Sequence, residues 1–289
     1  MELYWERHVI HDSYACRKSK GTLHAVERLR AFSRKVTANG TRGSWYLQLD
    51  VRGFFIAVNR SILYQQLMAR EPDPAVRWLL GVILFNNLTR NCRFRNARQA
   101  DFEQLPAHKT LFKAAPDCGL PIGNLTSQFF ANVYLDALDQ FIKHQLKVRF
   151  YVRYCDDLVL LASNEEELKE WERDIGIFLD ERLHLQLNDR RKLRPVADGI
   201  DFLGYIVRPY YLLVRRRVVG ALRERLEHVE ETLRGLGLAE YAGGRIVYPW
   251  PSSLLNALRH WLNAYLSHFA KASSHHLVRG LWDRYTWLD

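Results

Sequence analysis

The sequence predicts an α/β chain: a sheet with helices packed around it, followed by a largely helical C-terminal part. Three observations predict it. Trp45 to Val51 alternates in polarity, Arg149 to Leu161 holds two β-rich segments around a turn, and amphipathic helical stretches lie between and after them.

In Trp45 to Val51, Trp45, Leu47, Leu49 and Val51 share one face and Tyr46, Gln48 and Asp50 the other, which predicts a strand with one buried face. Residues 61–69 and 74–85 read as helices. Asn86 to Gly119 is polar and irregular, and Arg90, Arg93, Arg95 and Arg98 predict a basic loop or frayed hairpin. Pro121-Ile122-Gly123-Asn124 is a turn signal. Thr126 or Ser127 is placed to cap a helix running to about Leu146, with Phe130, Tyr134, Leu138, Phe141 and Ile142 on its apolar side. RFYVRY and LVLLA, joined at Cys155-Asp156-Asp157, form a hairpin with acids at its turn. Ser163 to Glu166 and Asn164 to Glu167 both fit a capping box for the next helix. A strand and turn follow around Ile200 to Tyr205. Beyond Val218 the chain reads as helical, with breaks at Gly235–Gly244 and Pro249–Pro251. The domain boundary is placed near 208–216, where the basic Arg215-Arg216-Arg217 marks it, giving units of 1–208 and 209–289.

The 289 residues are 48% hydrophobic and 26% charged, which excludes a disordered or fibrous chain. The longest strongly apolar run, Trp78 to Phe85, is far short of the ~20 residues of a membrane helix. The charged opening MELYWERHVIHD does not fit a secretory signal. Four scattered cysteines give neither a CxxC pair nor a disulfide framework. A soluble, cytoplasmic protein with no membrane partner is expected. The net charge is +10, and residues 190–289 carry 16 basic against 9 acidic side chains. A surplus concentrated there fits a polyanionic partner as readily as a protein that simply runs basic.

Asp50 ends an apolar strand and Asp156-Asp157 sit at the tip of an apolar hairpin. Unpaired carboxylates are costly in such segments. A pair of Mg²⁺ ions resolves the repulsion, because hard cations take carboxylate oxygens, keep waters and bind phosphates. Two such ions activate an attacking oxygen and stabilise a leaving one in phosphoryl transfer. Any single Asp-Asp is more simply a turn-forming pair. The order of strand-Asp, Pro-x-Gly with helix, and Tyr-x-Asp-Asp hairpin favours the metal reading.

Tyr154-Cys155-Asp156-Asp157 resembles the YxDD box of reverse transcriptases, and Leu49 to Phe55 (LDVRGFF) resembles their first aspartate motif. Phe202-Leu203-Gly204-Tyr205 matches the FLGY block that follows the palm. Gly119 to Gln128 (GLPIGNLTSQ), Leu105 to Phe112 (LPAHKTLF) and Ser13 to Thr22 (SYACRKSKGT) are similar to blocks of the reverse transcriptases of diversity-generating retroelements. Most of those relatives read PQG and SP, where this chain has Pro121-Ile122-Gly123 and Ser127-Gln128. The similarity extends over nearly the whole chain. A preceding fingers block, with basic residues for the incoming triphosphate, is expected to be absent.

The resemblance implies a right-hand polymerase, with partial fingers and palm over 1–208 and a helical thumb over 209–289. Asp50, Asp156 and Asp157 would hold two Mg²⁺ ions, or Mn²⁺, and the Val51 carbonyl would complete one shell. Asp156 would be the stronger ligand of its pair. Phe55 matches a steric gate against the 2′-hydroxyl, with a core aromatic as the plainer reading. Ile122 replaces a Gln near the nascent base pair, unless it packs against the sheet. Gly123 would allow close backbone approach, and Gln128 lies one turn into the helix behind it. Lys192 sits where a basic residue often meets the leaving pyrophosphate. Arg17, Lys18 and Lys20 would contact triphosphate or template, or form a solvated loop. Arg215, Arg216, Arg217 and Arg223 would touch the duplex backbone. The implied partners are template RNA, a primer or cDNA, dNTPs and a small helical accessory protein. Error-prone copying to diversify a target gene is the implied role. A retron-like, group II intron-like or defence-associated reverse transcriptase is the alternative, as is a non-catalytic nucleic-acid-binding remnant.

Overall fold

Trp45 to Asp50 forms the strand that organises the first part of the molecule, with neighbours on both of its edges. The computed structural model describes residues 2–86, 89, 92–94, 98–235, 240–242, 245–247 and 252–285. Two units separate, 1–197 and 198–289. The boundary therefore lies before the predicted one, and it assigns the FLGY block to the second unit.

In the first unit, α1 (Glu2–Glu6) and α2 (Thr22–Val36) precede β1 (Trp45–Asp50). Next come α3 (Phe54–Ala57), α4 (Arg60–Met68), α5 (Pro74–Phe85) and α6 (Gln99–Glu103). α7 (Leu125–Gln140) continues as a π-helical turn over Phe141–Gln145 and leads into β2 (Phe150–Tyr154) and β3 (Asp157–Ala162). α8 (Glu165–Leu183) and β4 (Lys192–Pro195) complete the unit. The sheet order is β2-β3-β1-β4 and every pairing is antiparallel.

β1 is buried on both faces rather than one. Leu47, Leu49 and Leu160 pack in the same core as Leu135 and Leu138 of α7 and Leu179 of α8. On the other face Tyr46 is only 2% exposed, and Phe150 of β2 meets Phe32 of α2 with ring centroids 5.4 Å apart. A strand covered from both sides loses its polar stripe, so Tyr46 answers to burial rather than to alternation.

Helix starts follow side-chain capping, with one departure from expectation. Of the two caps the sequence offers for α8, Asn164 is the one used: its side chain accepts from the Glu167 N–H at 2.8 Å. Asn124 holds the N-cap position of α7 in place of Thr126 or Ser127. Asp73 caps α5 ahead of Pro74, where a missing N–H costs nothing. Arg90 and Arg95 lie outside the described residues. The described part of 86–119 is less polar than expected, because Phe94, Phe102 and Phe112 cluster with centroids 5.4–5.7 Å apart.

The second unit holds more strand than its sequence suggests. β5 (Ile200–Phe202), β6 (Tyr205–Val207) and β7 (Leu212–Val214) form a small antiparallel sheet. Leu203 and Gly204, with φ of 50° and 89°, make the two-residue turn of the FLGY block. α9 (Arg216–Gly235) is followed by a hairpin, β8 (Glu240–Ala242) with β9 (Arg245–Val247), and then by α10 (Ser252–Phe269) and α11 (His275–Arg284). Leu222, Leu226, Phe269, Leu281 and Tyr285 form the core of this unit. Among the described residues no helix is long and apolar enough to cross a membrane.

Candidate active site

The acids meet at one end of the four-stranded sheet because β1 and β3 lie side by side. Their register sets Asp50 directly opposite Asp157, and Tyr154 opposite Asp157 on the other edge. Cys155 and Asp156 are thus a two-residue turn projecting beyond the ladder. Cys155 takes φ 55°, a left-handed conformation that costs a non-glycine residue roughly 1–2 kcal/mol.

Burial pushes the Asp156 carboxyl above the usual carboxylate range, and the charge of Asp50 adds to that shift against hydrogen bonds from its own N–H and the Cys155 thiol. The Cys155 thiol is itself pushed up to about 12, first by burial and then by the charge of Asp156. These two carboxylates repel each other across a partly dry gap. One oxygen of Asp50 is steered by Asn188, whose side-chain amide donates to it at 3.0 Å. The Asn188 backbone N–H also donates to the Asp50 carbonyl at 2.8 Å. Val51 is bridged to Leu187, with flanking bonds made by Asp50 O and the Arg52 N–H, so this bridge does not use the Val51 carbonyl. Asn188 was not legible in the sequence. Its neighbour in space is fixed only once β4 returns beside β1.

Among the described residues no group of three or more His, Cys, Asp or Glu side chains gathers to enclose a metal by itself. The donors offered at the sheet end are instead a repelling carboxylate pair, a third carboxylate next in chain and a main-chain carbonyl. That is an all-oxygen, open set, which suits a hard cation that keeps waters and takes substrate phosphate.

Phe54 and Phe55 divide as their burial dictates. Phe54 is 1% exposed and packs in the core, whereas Phe55 is only partly buried, its carbonyl accepting from the Leu120 N–H at 2.7 Å. That bond ties the LDVRGFF segment to the Leu120-Pro121-Ile122-Gly123 turn. Gly53 (φ 55°) is required here, since a Cβ would stand 2.7 Å from the His108 carbonyl oxygen. The Leu105 to Phe112 block is thereby seated on the acid-bearing segment.

Ile122 is 76% exposed, which removes the alternative that it packs against the sheet. Gly123 has φ 101°, and Gln128 is exposed on α7. Lys192 lies on β4 opposite Gln48, two residues before Asp50 along β1.

The N-terminal basic residues behave differently from expectation. Arg17 is not an open phosphate contact. Its guanidinium is engaged by Glu6 at 2.7 Å and by the carbonyls of Ile10 and Ser13 at 2.6 and 2.8 Å, leaving the side chain 6% exposed. Lys20 donates to the His11 carbonyl at 2.8 Å and lies over the Tyr14 ring. Lys18 is exposed. In the second unit, Arg215 pairs with Asp201 at 3.1 Å, while Arg216, Arg217 and Arg223 are exposed.

The family model described as reverse transcriptase (RNA-dependent DNA polymerase) matches residues 2–207. The chain is 26% identical over 240 residues to Protein YkfC of Escherichia coli strain K12, covering 71% of this chain and 57% of that one. It is 20% identical over 234 residues to Putative COX1/OXI3 intron 2 protein of Saccharomyces cerevisiae, covering 59% and 25%. The chain thus spans little more than half of one relative and a quarter of the other. Among solved structures, telomerase from Candida albicans in complex with a TWJ fragment of telomeric RNA aligns at 13% identity and TM-score 0.47, covering 74% of this chain and 36% of that one. The apo telomerase from Candida tropicalis gives 11% and 0.47, covering 75% and 39%. Because the family match takes in nearly all of the first unit and the start of the second, the chain belongs to the reverse transcriptase family.

Proposed function

We propose that this chain synthesises DNA on an RNA template by two-metal nucleotidyl transfer, with low fidelity, so that the cDNA diversifies a target gene. The observation that supports the chemistry best is the register that faces Asp50 with Asp157 and leaves Asp156 beside them. Asp50, Asp156, Asp157 and the Val51 carbonyl would hold two Mg²⁺ ions, or Mn²⁺. When bound, such ions lower the pKa of an attacking primer 3′-hydroxyl and neutralise charge on the departing pyrophosphate.

The chain's own residues do the rest by positioning. Asn188 orients Asp50. Phe55, held beside Leu120, would lie beneath the sugar and exclude a 2′-hydroxyl. Gly123 would let the backbone approach the dNTP, with Gln128 behind it and Lys192 near the leaving group. Lys18 and the exposed Arg216, Arg217 and Arg223 offer contacts to phosphate, each of which would make binding salt-dependent. A small helical accessory protein is the partner that the retroelement resemblance supports.

Phe55→Ala should raise ribonucleotide incorporation relative to deoxynucleotide, read by single-nucleotide primer extension with matched rNTP and dNTP. Unchanged sugar selectivity in an active variant would make Phe55 a core residue only.

Low fidelity rests on Ile122, an exposed apolar side chain where the resemblance places a hydrogen-bonding Gln. Losing one hydrogen bond is worth roughly 0.5–1.5 kcal/mol, up to about tenfold in discrimination. Ile122→Gln should therefore lower misincorporation opposite template adenine by a few-fold, read by sequencing cDNA made from one defined RNA by both proteins. The preference for adenine comes from the resemblance, not from side-chain physics. An intron-associated reverse transcriptase is the second reading, favoured by the likeness to the yeast intron 2 protein. Equal accuracy at all four template bases in the parent would select it.

A further inference from the structure

Directly behind the acidic turn, on the face of the sheet opposite Asp50, lies a largely buried polar network. Arg153 and Asp139 are both 0% exposed. The Arg153 Nε donates to both Asp139 oxygens at 2.9 and 3.0 Å, and Nη2 to one of them at 2.7 Å. The Tyr151 hydroxyl donates to the same carboxylate at 2.7 Å. The remaining nitrogen, Nη1, donates to the Cys155 carbonyl at 2.9 Å and to Asn132 Oδ1 at 3.2 Å. Asn132 in turn donates to the Ala15 carbonyl at 2.8 Å.

One guanidinium therefore links α7 to the carbonyl immediately before Asp156, and Asn132 carries the link on to the Ser13 to Thr22 block. Stability alone is a poor reason for such a group. A buried ion pair is often no better than well-packed apolar residues of the same volume. The turn, however, needs a fastening. Cys155 is held in the left-handed region, a conformation that persists only where its surroundings over-determine it. Arg153 Nη1 grips the carbonyl of that very residue, and the fork on Asp139 fixes the angle from which it does so.

We propose that Arg153, locked by Asp139 and Asn132, is a positioning residue that sets the turn so that Asp156 faces Asp50. It touches no substrate and acts through the Cys155 carbonyl. This rests on the metal-binding reading of the acids, and the test separates the two.

Two proteins are compared with the parent. Arg153→Lys keeps the charge and loses the fork. The combined variant Arg153→Met, Asp139→Leu, Tyr151→Phe removes the ion pair and the tyrosine hydroxyl, keeps Asn132 on the Ala15 carbonyl, and orphans no buried charge. Each is measured for melting temperature, for Tb³⁺ affinity by luminescence, and for kcat and KM of single-dNTP primer extension. A positioning role predicts a fold kept in the combined variant, Tb³⁺ affinity at least fivefold weaker, kcat at least thirtyfold lower and KM for dNTP within threefold. Parent-like Tb³⁺ affinity and kcat in either folded variant would overturn it. If the combined variant does not fold, Arg153→Lys decides on the same two readouts. If the parent binds Tb³⁺ but extends no primer, the polymerase reading fails, while the Tb³⁺ comparison still judges Arg153.

Discussion

Asp156→Asn should abolish Mg²⁺-dependent dNTP incorporation, by at least ~1,000-fold or ~4 kcal/mol of transition-state stabilisation. The substitution is nearly isosteric, so packing at the turn is unchanged. It removes the anionic oxygen that burial and Asp50 leave under electrostatic tension in the parent. The same change relieves that repulsion, so the variant should be no less stable than the parent. RNA affinity should be retained, because the exposed arginines are untouched. The measurement is single-turnover primer extension beside a filter-binding titration of the same RNA. A variant that extends a primer at near parent rate would remove Asp156 from the chemistry.

Asp139→Ala should be the most destabilising single change in the first unit outside its apolar core. It leaves the Arg153 guanidinium buried with its main partner gone. Burial by itself pushes the Arg153 pKa down, but the charge and hydrogen bonds of Asp139, with smaller help from Tyr151 and Cys155, together outweigh it and the net shift is upward. Removing one member of such a pair costs about 3–5 kcal/mol, against a total stability of roughly 5–15 kcal/mol. The urea midpoint should fall by roughly 1–2 M. Asp174→Ala is the control, since Arg173 and Asp174 pair at 3.5 Å with side chains 71% and 38% exposed. Such a pair is worth no more than about 1 kcal/mol. Equal midpoint losses for both variants would contradict the assignment of Arg153 and Asp139 as a mutually dependent buried pair.

What the sequence made legible was local. The existence of β1, though not its burial on both faces, the hairpin around Cys155-Asp156 and the Asn164 cap all depend on residues within a few positions of each other. The acids were legible because carboxylates in apolar segments are conspicuous. Sheet order was not, since nothing near Lys192 declares that β4 will return beside β1. Asn188 was missed for that reason. Arg17 misled because a basic residue in a Ser- and Lys-rich stretch reads as solvated, whereas its partners, Glu6 and the carbonyls of Ile10 and Ser13, form an inward-facing socket. Arg153 read as an ordinary strand residue. Its partner Asp139 sits on a helix buried almost all round, where a polar residue had no predicted role. The hairpin of the second unit falls between Gly235 and Pro249, where breaker residues had suggested only an interruption.

The most direct measurement is the rate of single-dNTP addition to a DNA primer annealed to RNA, as a function of free Mg²⁺. A two-metal centre at Asp50, Asp156 and Asp157 predicts no addition in EDTA, recovery with Mg²⁺ or Mn²⁺, and a dependence steeper than first order at low ion concentration. Addition that persists in EDTA, or its absence at saturating Mg²⁺ while the chain still binds the primer–template, would contradict it.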